Sequence, residues 1–251
     1  HAREVMHLHE PLGVGYDFTA HDYYSACPQI SLTDHTQAYC GEKGLDQCRQ
    51  CLQRAPAPGG VTIEAWRSNH LPFVEGARHV LVPSRDAARR MARFAPKADI
   101  RLAPHTDLLD TSLLPTPSPR ARTPSASLKI AVIGALSVIK GADLLEATAQ
   151  EAARRGAPIE FHLLGYGYRH LQGQPKARLT VHGAYAEKDL PSLLDWLQPD
   201  LVWFPAQWPE TYSYTLSACL QAGLPVVAPD LGAFAERLAG RPWSWVRPWN
   251  T

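Results

Sequence analysis

Between residues 129 and 229 the chain alternates short apolar, β-branched runs with stretches of helical periodicity. The runs fall at 129–134 (KIAVIG), 159–165 (IEFHLLG), 178–182 (RLTVH), 200–204 (DLVWF) and 225–229 (PVVAP). Residues 142–155 carry Leu144, Leu145, Thr148, Ala149 and Ala152 on one helical face and stop at Gly156, a residue suited to a helix C-terminus. Asp189 is placed to cap a helix through Leu193, Leu194 and Leu197, with Pro191 in the tolerated first turn. A third helix is expected over 211–222, ending at Gly223. Strands linked through helices lie parallel, so the pattern predicts an α/β fold whose parallel sheet is covered on both faces. Such sheets hold ligands at the carboxyl ends of their strands.

The upstream half carries the same signals more sparsely. A strand over 14–20 ends at His21, and a clearer one at 78–83 (RHVLVP) runs into a basic helix from Ser84, a natural N-cap, to about Phe94. Residues 100–103 form another short strand. Residues 27–60 read as a long irregular excursion. Pro and Ser at the density of 115–127 (PTPSPRARTPSAS) build no packed element, so this segment reads as a linker between domains at 1–114 and 128–251.

Charge narrows the function classes. The 25 Lys and Arg residues balance 24 Asp and Glu, leaving a formal charge of +1. That gives no cation excess for a phosphate backbone, so no nucleic-acid partner is expected. The longest apolar stretch, 130–139, is bounded by Lys129 and Lys140 and is too short for a bilayer, which needs ~20 residues. The first residues show no secretory pattern, which sets a cytoplasmic expectation.

Two segments carry candidate chemistry. In 200–217 a strand leads through PAQWPE into a helix whose first turn is expected at Thr211–Tyr214. Free N–H groups and the positive dipole end of that turn suit a phosphate. Glu210 stands beside it, either to accept hydrogen bonds from hydroxyls or simply to complement the helix dipole. The second segment, 134–141 (GALSVIKG), is a Gly-flanked loop with Lys140 that leads into a helix. It lacks the spacing of a P-loop.

Together these segments resemble the retaining nucleotide-sugar glycosyltransferases of GT-B family 4 (group 1). The resemblance rests on G-x5-KG at 134–141, the LLGYG turn ending at 167, VHGAY at 181–185, and the stretches 200–217 and 221–238. Upstream, 18–28 (FTAHDYYSACP), 80–85 (VLVPSR) and 101–105 (RLAPH) resemble the later part of that family's N-terminal domain. The resemblance implies two Rossmann-like, doubly wound parallel-sheet domains. Residues 1–114 would be an incomplete acceptor-side domain, and 128–251 a donor-binding domain incomplete at its C-terminal end.

The same resemblance implies roles for single residues. Lys140 matches the basic residue on the donor diphosphate, with Gly134 at the start of its loop. Glu210 matches the first glutamate of an E-x7-E motif that approaches the donor sugar, and Thr211, Tyr212, Ser213 and Tyr214 match the helix start that receives the phosphates. His21 matches a histidine near the reacting centre, making His21 and Glu210 the catalytic candidates. The implied activity is transfer of a sugar, with retention, from a nucleoside-diphosphate donor to a saccharide or lipid-linked acceptor in surface-polysaccharide assembly. No cofactor is implied for catalysis.

Two positions depart from the family pattern. The second glutamate of E-x7-E is Ala218, and the arginine expected after Gly134 is Ala135. A charge-assisted hydrogen bond contributes ~1.5–3 kcal/mol, so the two losses together would weaken donor binding by orders of magnitude unless other groups substitute. A catalytically silent GT-B module serving as a binding or scaffold partner is therefore the alternative reading.

Cys27, Cys40, Cys48 and Cys51 give C-x12-C-x7-C-x2-C. The spacing fits a closed structural zinc site, with His35 able to replace one thiol, and it fits free thiols packed as small hydrophobes. On the helix after Ser84, Arg85, Arg89 and Arg93 share a face with Arg90 close by. That face is either solvated or a peripheral contact with anionic lipid at the inner face of the membrane.

Overall fold

Every strand ladder in the computed structural model runs parallel, as the strand–helix alternation requires. The structure describes residues 9–105, 114–121, 123 and 126–250. It divides into two units: His1–Thr106 with Trp208–Tyr212, and Asp107–Gln207 with Ser213–Thr251.

Unit 1 has β1 (Phe18–Thr19), α1 (Leu45–Arg54), α2 (Ile63–Glu75), β2 (Val80–Val82), α3 (Arg85–Phe94) and β3 (Ile100–Leu102), with the sheet in the order β1-β2-β3. Its core packs Val80 and Val82 of β2 against Val74 of α2, Met91 of α3 and the loop residue Tyr23. Ser84 caps α3 as expected, its side chain accepting from the Ala87 N–H at 3.1 Å. Thr62 caps α2 in the same way at 3.2 Å.

The excursion over 27–60 is less irregular than expected, because it contains α1. No residue of α1 is buried. The loop before it holds Ile30, Leu32, Gln37 and Glu42 at positive φ, a conformation that costs non-glycine residues ~1–2 kcal/mol each. Such strain persists only where the surroundings over-determine it. Part of that constraint is Arg90, which sequence reading placed on a solvated or lipid-facing stripe. Its side chain keeps 9% exposure, donates to Asp86 Oδ2 at 2.6 Å and to the Tyr39 hydroxyl at 2.6 Å, and pairs with Glu42. Arg89 and Arg93 pair with the same carboxylates, Asp86 and Glu42. Arg90 and Arg93 thus tie α3 to the excursion through Glu42, whereas Arg89 pairs within the helix.

Unit 2 has β4 (Leu128–Leu136), α4 (Ala142–Arg154), β5 (Ile159–Gly167), β6 (Leu179–Val181), α5 (Leu190–Leu197), β7 (Leu201–Trp203), α6 (Tyr214–Gln221), β8 (Val226–Pro229), α7 (Ala233–Leu238) and β9 (Ser244–Arg247). The sheet order is β6-β5-β4-β7-β8-β9, so the chain winds outward in both directions from β4. The reversal between β4 and β7 is the topological switch point, where open parallel sheets form their ligand crevice. Val132, Leu163, Leu145 and Ala149 fill the core on one face.

Asp189 stands at the N-terminus of α5 but makes no capping bond, because a 3-10 turn, Glu187–Asp189, already leads into the helix. The short edge strand β9 was not anticipated, since four residues reading SWVR show no usable alternation.

Candidate functional site

The carboxyl ends of β4 and β5 are held together by two glycines. Gly134 pairs with Gly165 across the ladder, both at positive φ, and a Cβ on Gly165 would lie 2.0 Å from the Gly134 carbonyl oxygen. This close approach leaves a cavity of about 500 Å³ above the strand ends, within unit 2. That is the size of an ordinary small-ligand site. Its walls are Gly134, Ala135, Gly165 and Tyr166 on the strand side and Tyr214, Thr215, Ser217 and Ala218 on α6. Tyr185, Glu187 and Gln221 complete the rim. Burial raises the Tyr185 hydroxyl above its ordinary pKa.

The N-terminus of α6 is built differently from the expectation. The helix begins at Tyr214, three residues later than the sequence suggests, because Ser213 takes a positive φ of 74° that breaks the helical run. Ser213 makes no side-chain capping bond. Arg237 from α7 donates to the Ser213 carbonyl at 2.8 Å and to Ser217 Oγ at 2.7 Å. A guanidinium beside the positive end of a helix repels its dipole, and an anion at that end relieves the repulsion.

Lys140 lies in the turn between β4 and α4, where its N–H donates to the Ser137 carbonyl at 3.2 Å, and its side chain is exposed. The turn is fastened to the loop after β7 by a 2.7 Å hydrogen bond from the Gln207 N–H to the Ile139 carbonyl. Gly134 and Tyr214 line the cavity, whereas Lys140, Glu210, Thr211, Tyr212 and Ser213 do not.

Segment 208–212 belongs with unit 1. Thr211 is buried, and its hydroxyl donates to the His21 carbonyl at 2.8 Å. The expected role of Thr211 as a first-turn helix residue is therefore corrected: its side chain anchors the loop. Tyr212 is buried edge-on against His105, centroids 4.7 Å apart, and His105 lies parallel to His21 at 6.3 Å. The structure so brings His21, His105 and the Glu210–Tyr212 segment together at the carboxyl end of β1. His21 is exposed.

Sequence reasoning missed Arg237, Tyr166, Tyr185, Glu187 and Gln221. Tyr166 lies within the LLGYG turn, so its position past a strand end was available as a signal. Arg237 gave none, because its contact with α6 arises from tertiary packing.

The four cysteines at 27, 40, 48 and 51 are free and line one small cavity of unit 1. Burial pushes the Cys27 thiol up to about 12 and raises Cys40 and Cys51. His35 does not line this cavity; its Nε2 lies 3.0 Å from Arg54 Nη1. Among the described residues, no three His, Cys, Asp or Glu side chains already stand in metal-binding geometry. No described helix is long and apolar enough to cross a membrane.

No family model and no curated protein matches the sequence. Solved structures match the fold. The chain is similar to Anabaena Alr3699/HepE in complex with UDP, with TM-score 0.60, 15% identity, and coverage of 99% of this chain and 62% of that one. It is similar to sucrose-phosphate synthase from Thermosynechococcus elongatus, with TM-score 0.55, 17% identity, and coverage of 78% and 51%. TarM aligns with TM-score 0.53, 13% identity, and coverage of 76% and 37%. The chain thus spans between about a third and two thirds of these structures. Two parallel sheets in an α/β arrangement give it the fold of GT-B glycosyltransferases.

Proposed function

We propose that the chain is the donor-binding part, with a portion of the acceptor side, of a retaining glycosyltransferase. It would take a sugar from a nucleoside-diphosphate donor to a saccharide or lipid-linked acceptor in surface-polysaccharide synthesis. The observation that carries this reading is the cavity of about 500 Å³ at the ends of β4 and β5, closed on one side by the N-terminal half of α6. Complexes of similar structures with UDP and with UDP-glucose support a nucleotide-sugar ligand.

In this reading the nucleoside occupies the cavity, with Tyr166 and Tyr214, 51% and 54% exposed, offering flat faces to the base. The diphosphate lies at the start of α6, where helix N–H groups, the nearby Arg237 charge and Lys140 take up the negative charge that develops as the nucleoside diphosphate leaves. His21 and Glu210 serve the sugar and its acceptor. Ala218 lines the cavity, so the hydroxyl contacts expected of a glutamate there fall to Glu187, Ser217 or Gln221.

Titration calorimetry with UDP, GDP, dTDP and their sugars, on this chain and on the longest native form, tests the proposal. Binding of one nucleotide series, lost in Gly134→Trp, is expected. Folded protein that binds none of them overturns the assignment. The presence of Ala218 in the cavity wall favours one second reading, a silent GT-B module. Donor binding without transfer or donor hydrolysis by the longest native form supports it.

A further inference from the structure

Cys27, Cys40, Cys48 and Cys51 ring a cavity of about 20 Å³ in unit 1, enough for one water-sized or ion-sized occupant. Two of the sulfurs also face an N–H donor. The backbone N–H of Glu42 donates to Cys40 Sγ at 3.4 Å, and the Arg67 guanidinium reaches Cys48 Sγ at 3.8 Å. The chain around Cys40 reaches this by placing Gly41 and Glu42 at positive φ. A neutral thiol is a weak acceptor with little use for such partners. Donors aimed at sulfur suit ligands that carry negative charge and must be held in orientation.

We propose that these four cysteines bind one zinc ion as a closed structural site. Four sulfur ligands, with the lining Glu42 carboxylate already paired to Arg90 and Arg93, select zinc in a tetrahedral shell over a hard cation. The thiols give up their protons to solvent as they coordinate, and Arg67 offsets part of the resulting negative charge.

The arrangement explains what holds the excursion. Cys27 and Cys40 pack on the core of unit 1, whereas Cys48 and Cys51 lie on α1, which buries no residue of its own. A shared ion ties this helix and the loop of positive-φ residues to the core. The cluster begins six residues after His21, so the same ion steadies the segment that carries His21. The inference stands on unit 1 alone and does not depend on sugar transfer.

The test uses the full chain, purified without added metal and then incubated with one equivalent of zinc under reducing conditions. Mass spectrometry of the metal and X-ray absorption are expected to give one zinc per chain with four sulfurs at ~2.3 Å. A mercurial reagent should release that zinc as four thiols react. Cys219→Ala should keep the full equivalent, and Cys48→Ser/Cys51→Ser should lose it. Mercurial release from unmutated protein decides the matter if the double variant does not fold. Folded chain that takes up no zinc, zinc held by nitrogen or oxygen, or an iron–sulfur chromophore in the purified protein overturns the proposal.

Discussion

A Cβ on Gly141 would stand 2.1 Å from the carbonyl oxygen of Pro205. Gly141 has a φ of +86° and opens α4, so the turn bearing Lys140 and the loop after β7 touch backbone to backbone. Gly141→Ala is expected to cost about 2–5 kcal/mol, combining left-handed strain with overpacking. Gly156→Ala, at φ +63° with open space around it, should cost only about 1–2 kcal/mol. Urea unfolding of the two variants measures the difference. Nucleotide affinity should fall in the first alone.

Arg90→Ala leaves Glu42 and Asp86 without their shared cation in a nearly buried setting. Because Arg89 and Arg93 still reach those carboxylates, the loss should cost roughly 1.5–3 kcal/mol, as for a hydrogen bond to a charged group, rather than the full penalty of an uncompensated buried charge. Thermal unfolding should show unit 1 destabilised and cleavage by trypsin appearing first between α1 and the loop before it. Arg85→Ala, on the same helix, is the comparison variant and should cost less than Arg90→Ala.

Ala218→Glu restores a carboxylate to the cavity wall. Under the proposed function it should tighten nucleoside-diphosphate binding by roughly tenfold to a hundredfold, the equivalent of ~1.5–3 kcal/mol. Glu187→Gln in the native background should loosen binding about tenfold. Calorimetry on both variants checks the pair, and unchanged affinity in both removes Glu187 from the proposed hydroxyl contacts.

His162 and His182 stack at 5.4 Å between centroids on β5 and just beyond β6. Burial holds both below the ordinary imidazole value of 6.5, with the His182 charge a further cause for His162. The unfolded chain therefore takes up protons first as pH falls below 6.5, and it binds more of them than the folded chain. Stability should be full above that pH, and should decline below it until the depressed folded values are passed. His162→Asn should flatten the decline in denaturation midpoints measured between pH 7.5 and 5.

Unit 2 was legible because two of its strands, nine residues each, are long enough to pattern. The runs 129–134 and 159–165 announce β4 and β5, which bury consecutive residues because both faces of the sheet are covered. The candidate site was half legible. Gly134 and Tyr214 were found through their places after a strand and at a helix start. The start of α6 was misplaced because nothing in Thr-Tyr-Ser-Tyr shows that Ser213 adopts a positive φ. The excursion was misjudged for a related reason: α1 has only a narrow apolar face, Leu45, Cys48 and Leu52, none of it buried, and its Arg49 pairs with Glu64 fifteen residues on. Arg90 read as surface because its partners, Tyr39 and Glu42, precede it by about fifty residues.

Because Trp208 packs, half-buried, against the core of unit 1, that core is covered in part by a residue made long after the rest of it. At ~5–20 residues per second, the ribosome needs roughly 5–20 s to travel from residue 106 to residue 208. During that interval the nascent chain leaves the apolar socket under Trp208 uncovered. A chain cut anywhere in 115–127 would keep the socket permanently open, so the amino-terminal piece should be sticky and poorly soluble when made alone.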